Sequence, residues 1–303
     1  MKNSRLTKII TILLCAVIIT AIFPITASAD MGPKPSVNIS FEGLGDELCY
    51  GTLLSRVKST GPASAWDGTE ADAHYKENEY DVWKAFVEYE DTDGFFFLQE
   101  TWQINETKKL AWTYYPPNEF KILLYFPESD TFAVSGIYER YAFDSYFTVN
   151  MEGVNLSVDY NDEMSSNERI DAHKSYNYRL EVTSLIVRII ITIIIEMVIA
   201  LLFGYREKKQ LLLLAGVNTT TQIILNVLLN VINYNSGEMA FVIMYGLFEV
   251  IVFAIEAVVF YYFLNRVSIK AKPKWHTIIY ALVANVVSFL AGMYIAQWLP
   301  GIF

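Results

Sequence analysis

The residues best suited to chemistry in this 303-residue chain lie inside its most apolar stretch. The C-terminal third consists of four hydrophobic segments, at about 181–203, 211–232, 240–264 and 276–298, and all four contain polar or ionisable side chains: Arg188, Glu196, Asn218, Gln222, Asn226, Glu249, Glu256 and Asn285. A charged side chain at the centre of a bilayer costs roughly 2.5–3.5 kcal/mol on insertion scales. Asn and Ser could join helices without that cost. The glutamates and the arginine therefore favour a working polar site over simple helix contacts, which stay the alternative.

The spacing of these residues places them on single helix faces. In the first segment Arg188, Thr192 and Glu196 recur at every fourth position, and in the third Glu249 and Glu256 lie two turns apart. The second segment repeats amides at the same interval: Asn218, Gln222, Asn226 and Asn230. The fourth carries a ridge of small residues that lets a neighbouring helix approach closely: Ala284, Ser288, Gly292 and Ala296.

A rise of 1.5 Å per residue, with direction alternating at each crossing, sorts the polar residues by depth. We predict an inner layer, toward the cytoplasm, that contains Glu196, Glu256, Asn218 and Asn285. An outer layer is predicted to contain Arg188, Glu249, Gln222 and Asn226. Within these layers we expect an Arg188–Glu249 ion pair and a Glu196/Glu256 pair that shares a proton, because two buried carboxylates repel each other.

Glutamate and asparagine oxygens suit a proton or a hard cation. The segments contain no Cys, and their one His, His276, stands at the cytoplasmic end of the fourth segment, where we interpret it as an interfacial residue. A zinc or copper site is therefore not expected, and we predict no cofactor. The histidines or aspartates of intramembrane proteases are missing, and there is no glycine-rich nucleotide loop. We assign no catalytic residue.

Each hydrophobic segment is long enough to cross a bilayer core about 30 Å thick. Lys and Arg gather in the breaks 204–210 and 266–274, whereas the break 233–239 has none. The positive-inside rule then predicts four crossings with both basic breaks in the cytoplasm and the C-terminus outside. Membrane lipid is the expected environment, and four helices suggest a homo-oligomer or a membrane-protein partner; nothing indicates nucleic acid.

The N-terminus has the form of a secretory signal peptide over residues 1–29. Lys2, Arg5 and Lys8 precede the apolar run 9–22, and Ala27-Ser28-Ala29 forms a cleavage site. Cleavage leaves Cys49 as the one cysteine of the mature chain, so the exported part cannot form an internal disulfide. We interpret Cys49 as a buried structural residue.

Residues 30–160 predict an extracytoplasmic β-rich domain, followed by a polar stalk at 161–180. Most of the 33 acidic residues fall in this part of the chain. Aromatic and β-branched residues alternate with polar ones near 37–41, 48–54, 95–104, 110–115, 120–126, 132–138, 142–149 and 154–160, which favours a β-sandwich. One stretch, 72–89, has helical spacing and predicts a helix inserted between strands.

Two alternatives concern this exported domain. Asp91, Asp93, Gly94 and Glu100 partly match a calcium loop, but Tyr89 stands at its first position, so we interpret the segment as a β-turn. The aromatic run 112–115 suits either core packing, which we favour, or an exposed platform for sugars or peptides.

Two stretches carry a resemblance to a family. The mature start, 30–36 with the sequence DMGPKPS, together with Thr60-Gly61-Pro62, resembles a group of exported membrane proteins of Gram-positive bacteria that have no assigned activity. The run 218–222, Asn226 and the Glu249/Glu256 pair are also similar to theirs. The resemblance covers nearly the whole chain and implies architecture and host class, but no activity and no site residues.

These observations predict a cell-envelope membrane protein of the sensor or transporter-associated kind. Its exported domain would bind a ligand or partner, and its helices would hold a proton or hard cation. Two alternatives stay open. One is an intramembrane enzyme that uses Glu196 and Glu256 as acid and base on a lipid-linked substrate; the other is a structural subunit of a membrane complex.

Overall fold

The computed structural model describes residues 32–154 and 170–298, and the chain divides into two compact units. One unit runs from Pro33 to Tyr176 and the other contains the helices from Asn177 onward. The predicted signal peptide, most of the predicted strand 154–160 and the first half of the predicted stalk lie outside the described residues.

Among the described residues, one sheet of the first unit has four strands: β1 (Ser36–Glu42), β7 (Lys109–Trp112), β11 (Asp144–Asn150) and β12 (Ala172–Lys174). Their order in the sheet is β12-β11-β1-β7. β1 pairs with β11 in parallel and with β7 antiparallel, and β12 pairs antiparallel with β11. The sequence assigned 172–174 to the stalk, whereas the structure places these residues in the sheet.

A second sheet is built around β2 (Tyr50–Ser55) and β8 (Glu119–Phe126), which pair antiparallel. β5 (Phe96–Phe97) and β10 (Tyr138–Glu139) flank these two strands, so the strand order is β10-β8-β2-β5. β6 (Trp102–Gln103) also pairs with β2, and β9 (Thr131–Val134) with β8. A short hairpin joins β3 (Ser59–Thr60) to β4 (Ala63–Ser64).

The central strand β8 is buried on both faces, so it separates two apolar clusters. Phe120, Ile122 and Leu124 pack with residues of β1, β7 and β11, which makes the core between the two sheets. Leu123 and Tyr125 point the other way and pack against the helix α1 (Tyr80–Glu88). Successive side chains of a strand point to opposite faces, so β8 packs against the other sheet on one face and against α1 on the other, which gives the layers sheet, sheet and helix. Full burial of each such side chain contributes roughly 1.5–3 kcal/mol.

The predicted inserted helix is present but shorter than expected. α1 begins at Tyr80, and a 3₁₀ turn at Glu70–Asp72 precedes it. The predicted strand 95–104 is also interrupted, because Gln99 has a left-handed backbone with φ of 63°. The Gln99 side chain accepts from the backbone N–H of His74 and the indole N–H of Trp83, and donates to the carbonyl groups of Ser64 and Asp72. These four hydrogen bonds compensate for the broken strand.

The turn at 91–94 is held by a buried lysine. Lys121 Nζ lies 2.8 Å from Asp91 Oδ1 and 2.5 Å from Asp93 Oδ2, and the side chains of Lys121 and Asp91 are 5% and 1% exposed. Asp91 Oδ2 also accepts from the backbone N–H groups of Asp93 and Phe95. Asp91 and Asp93, two of the three carboxylates of the suspected calcium loop, are therefore paired with Lys121.

Within 170–298 the second unit contains three helices that are long and apolar enough to cross a membrane, which indicates a membrane protein. They are α2 (Tyr178–Leu202), α3 (Lys208–Phe263) and α4 (Lys274–Trp298), with a 3₁₀ turn at Leu264–Arg266 after α3. The predicted second and third helices are not separate elements, since α3 continues through the predicted break at 233–239.

α3 nevertheless folds back on itself at Gly237. This residue has φ of 80° and ψ of 176°, a conformation that is essentially restricted to glycine. Thr221 and Glu256, 35 residues apart, share a hydrogen bond of 2.6 Å, whereas a straight helix would separate them by about 52 Å. Leu225, Leu229 and Val252 form a buried cluster between the two arms. We call 208–236 the first arm and 238–263 the second arm.

Replacing Lys121 with Met should destabilise the first unit by about 3 kcal/mol, because it leaves the buried Asp91 carboxylate without its cation. The matched control is Lys84→Met, which removes an exposed pair with Glu88 and should cost less than about 0.5 kcal/mol. Guanidinium unfolding of the full chain in detergent, followed by tryptophan fluorescence, measures both. Equal effects would contradict a structural role for the buried pair.

The same pair predicts a loss of stability at both extremes of pH. Burial opposes the charge of Lys121, but the hydrogen bonds that Lys121 donates to Asp91 and Asp93, with the negative charge of both, outweigh burial and raise the pKa of Lys121 above 10.5. The stability that Lys121 contributes is present below that pH and is lost as pH rises through the folded-state pKa. The hydrogen bond from Lys121 lowers the pKa of Asp93 below 3.8. The stability contributed by this half-exposed carboxylate is therefore lost as pH falls through the lowered pKa. Lys121→Met should remove both dependences in the same unfolding assay.

Gly237→Ala should destabilise the helical unit by about 1–3 kcal/mol, because alanine is strained at this φ and ψ. Gly246→Ala, in the second arm, is the control and should stabilise the unit. Its added Cβ meets no atom within 4 Å, and alanine favours a helix by about 1 kcal/mol over glycine. Thermal unfolding in detergent should move in opposite directions for the two variants. A shift of the same sign would contradict the bend at Gly237.

Candidate functional site in the helical unit

The predicted polar stripe of α2 faces the interior of the unit. Ser184, Arg188, Thr192, Glu196 and Ala200 are all buried, in the four-residue rhythm expected from the sequence. Residues on the opposite face are about half exposed: Ile186, Ile190, Ile194 and Val198. The helix thus presents apolar side chains outward and polar ones inward, the reverse of a helix in water.

Glu256 on the second arm of α3 lies at the centre of the inner layer. Its side chain is 1% exposed. Oε1 accepts a hydrogen bond of 2.6 Å from Thr221 Oγ1 on the first arm, and Oε2 accepts one of 2.7 Å from Asn285 Nδ2 on α4. One carboxyl group therefore joins three helical segments, and both of its oxygens have partners.

Glu196 on α2 is fully buried but less completely bonded. Its Oε1 accepts from Ser288 Oγ of α4 at 3.3 Å, and its backbone carbonyl accepts from Tyr280 Oη at 3.4 Å. Glu196 Oε2 makes no hydrogen bond to a described residue. Asn285 and Ser288 are three residues apart on α4, a rise of about 4.5 Å, so the carboxyl groups of Glu196 and Glu256 contact the same face of that helix.

Asn218 completes the inner layer on the first arm. It is 1% exposed, it lies beside the Tyr280 side chain, and neither atom of its amide makes a hydrogen bond to a described residue. The structure thus links Glu196, Glu256 and Asn285 through α4 and buries Asn218 beside Tyr280, which also contacts Glu196.

The outer layer forms different pairs from those expected. Arg188 Nη2 donates to Asn230 Oδ1 at 2.9 Å, its guanidinium lies over the Phe241 ring, and among the described residues it forms no ion pair with Glu249. Helical side chains lean toward their own N-terminus, which carries the guanidinium toward Asn230. Asn230 is five residues closer to Gly237 than Glu249 is, or about 7.5 Å along the helix axis. The predicted Arg188–Glu249 pair is therefore wrong.

The remaining outer residues, Gln222, Asn226 and Glu249, contact polar groups of α3 itself. Asn226 Nδ2 donates to the carbonyl oxygen and to Oε1 of Gln222, at 2.8 and 3.3 Å. Glu249 is 9% exposed and lies beside Tyr245 on its own arm. The outer residues are buried as the sequence predicts, but they do not converge on one another as the inner ones do.

Several buried polar atoms of the described residues have no hydrogen-bond partner: Glu196 Oε2, Asn218 Oδ1 and Nδ2, Asn285 Oδ1, Gln222 Nε2, Glu249 Oε2 and Arg188 Nε. An unsatisfied buried group costs about 1–3 kcal/mol, so these are the atoms at which an added hydrogen-bond partner would stabilise the unit most. No three His, Cys, Asp or Glu side chains cluster as metal ligands anywhere in 32–154 or 170–298.

Sequence reasoning missed three side chains that hold the site. Thr221 lies one turn from Asn218, and Ser288 lies one turn from Asn285, where the small-residue ridge concealed its role as a donor to Glu196. Asn230 was recognised in the amide repeat but not as the partner of Arg188. Spacing of three residues from a predicted site residue was the available signal for Thr221 and Ser288.

In the first unit, the sequence singled out Cys49 and the aromatic run 112–115. Cys49 is fully buried, and burial raises the pKa of its thiol to about 12, which is incompatible with a reactive thiolate. Trp112 is in the core, whereas Tyr114 and Tyr115 are exposed. The aromatic run therefore serves the core and the surface together.

Comparison with family models, with curated proteins and with solved structures finds no match for this chain.

Thr221→Val should lower the stability of the helical unit by about 1–3 kcal/mol, because it leaves Glu256 Oε1 buried without a donor. Thr220→Val is the matched control, since the exposed Thr220 hydroxyl donates to the Gly216 carbonyl of its own helix and not to Glu256. Thermal unfolding in detergent compares the two. Equal melting temperatures would show that the Thr221–Glu256 hydrogen bond contributes nothing.

Proposed function

We propose that this chain is a multi-pass cell-envelope membrane protein whose helices bind a proton or a hard cation at Glu196 and Glu256. Its β-rich unit, outside the cytoplasm, binds a ligand or partner, as in a sensor or a transporter-associated protein. The observation that carries the proposal is the approach of two fully buried glutamates to one face of α4.

The chemistry of this pair supports an exchangeable ligand. Two carboxylates in a dry environment repel each other, so a shared proton or a bound cation is needed to hold both. Glu256 has a donor on each oxygen, whereas Glu196 keeps one oxygen without a partner among the described residues. Glu196 is therefore the residue we assign to take up the proton or ion, with Glu256 as its fixed neighbour.

The proposed topology has four crossings, with the C-terminus outside. The fold-back of α3 at Gly237 supports it, because the two arms lie against each other and each has the length of a span. The basic residues of 204–210 and 266–274 support a cytoplasmic position for both breaks. The resemblance of the mature start to exported proteins of Gram-positive bacteria is consistent with this placement.

The ligand-binding role of the first unit rests on an exposed group of aromatic side chains. Trp66, Tyr75 and Tyr80 are 38%, 47% and 48% exposed, and their rings pack around Trp83 at centroid distances of 5.2–5.8 Å. Rings that are held rigid and reach solvent suit contact with sugars or peptides.

A second candidate function is an intramembrane enzyme with Glu196 and Glu256 as acid and base on a lipid-linked substrate. The observation that favours it is a groove on the outside of α3 that reaches Thr221, the donor to Glu256. Turnover of a lipid-linked substrate, lost in Glu256→Gln, would separate this function from ion or proton binding. A purely structural role would give neither turnover of a lipid-linked substrate nor a thermal stability that depends on bound protons or cations.

The decisive experiment compares Glu196→Gln, Glu256→Gln and Asn218→Ala with wild type. Glutamine keeps the shape of the side chain and removes its charge, so thermal stability should lose its dependence on pH and on added cations while the fold is retained. Glu238→Gln is the control, because Glu238 is an exposed glutamate of the same unit and should behave as wild type. If all three site variants track wild type at every pH and with every cation, the buried site has no such function.

A further inference from the structure

A groove of about 360 Å³ runs along the outside of α3. The first arm supplies Leu212, Gly216 and Thr221 to its lining, and the second arm supplies Ile255 and Val259. Apart from Thr220 and Thr221, its lining residues are aliphatic or glycine. The volume lies within the range of small-molecule sites in proteins.

The groove opens away from the interior of the helical unit. Leu212 and Ile255 are 63% and 38% exposed, whereas Asn218 and Glu256, on the inner faces of the same arms, are buried. Because α3 is long and apolar enough to cross a membrane, the surroundings of this outer face are lipid chains. An acyl chain is therefore the occupant that matches the groove in chemistry.

Gly216 lines the groove at a position that faces open space. A Cβ atom added there would meet no heavy atom within 4 Å, so the groove has room at this position for a group that the chain itself does not supply.

Positive charge lies at one end of the groove. Lys208 and Lys209 are exposed and stand four residues before the lining residues Leu212 and Leu213, which places them one turn away on the same faces. Neither forms an ion pair with a described residue. The adjacent Glu207 carboxylate accepts from the backbone N–H groups of Ile269 and Lys270.

We propose that this groove binds an anionic phospholipid, with one acyl chain along Gly216 and the phosphate against Lys208 and Lys209. An apolar groove in the hydrocarbon region and basic residues at its end match the two halves of such a lipid. The site rests on insertion of α3 in the membrane, as in the proposed function, but not on the carboxylate pair. Thr221 lines the groove and donates to Glu256, so a bound chain contacts the residue that orients that carboxyl group.

The test measures lipid retained by the full chain in native mass spectrometry, and the melting temperature in detergent, with added phosphatidylglycerol or phosphatidylcholine of identical chains. Wild type should retain phosphatidylglycerol preferentially and melt at a higher temperature with it. Gly216→Phe should bind about tenfold more weakly or worse, the loss expected when two methylenes are displaced from an apolar site. Gly246→Phe, at the other open helical glycine, should bind as wild type.

The headgroup contact has its own variant, in case Gly216→Phe fails to fold. Lys208→Gln combined with Lys209→Gln changes only exposed side chains and should abolish the preference for phosphatidylglycerol. Equal retention of both lipids by wild type, or equal loss in the two glycine variants, would overturn the proposal. An equal shift of the melting temperature by inorganic phosphate would also overturn it, as would a wild-type dimer that Gly216→Phe converts to monomer. Lipid retention by Glu256→Gln keeps this result separate from that of the carboxylate site.

Discussion

The two hydrogen bonds accepted by the Glu256 carboxyl group are the interactions on which the helical unit depends most. In a dry interior a carboxylate must find donors, and Glu256 finds one on the first arm of α3 and one on α4. These two hydrogen bonds fix how the arms of α3 align and which face of α4 meets them. The same face of α4 then offers Ser288 to Glu196, so the position of the second carboxyl group follows from that of the first.

The bend at Gly237 makes this arrangement possible without interrupting the helix for more than one residue. A loop between separate helices would expose more backbone N–H and C=O groups, which are costly near lipid. A glycine with positive φ changes the chain direction at one residue, and the polar residues around it, Asn233 to Glu238, suit a membrane surface. The hairpin is therefore compact, and its two arms can hold a buried polar contact 35 residues apart in sequence.

The first unit must likewise cover its apolar surfaces and pair its buried polar groups. Its central strand β8 is apolar on both faces, so helix α1 covers the side that the other sheet leaves free. Two of its buried polar side chains have several partners each: Gln99 makes four hydrogen bonds, and Lys121 pairs with Asp91 and Asp93. Such groups specify the turns around the core, because leaving any one of them unpaired is expensive.

The sequence by itself determined that a strand-rich part precedes long apolar helices, and which polar side chains of those helices face inward. Those properties depend on period two and period 3.6, which are local; the buried stripe Arg188, Thr192 and Glu196 is the clearest case. Only the tertiary structure decided the partners. Arg188 contacts Asn230 instead of Glu249, and Thr221 and Ser288 enter the site, because contacts between helices depend on their relative shift and on side-chain reach. The parallel pairing of β1 with β11, more than a hundred residues apart, is likewise set by the shared core and not by any local pattern.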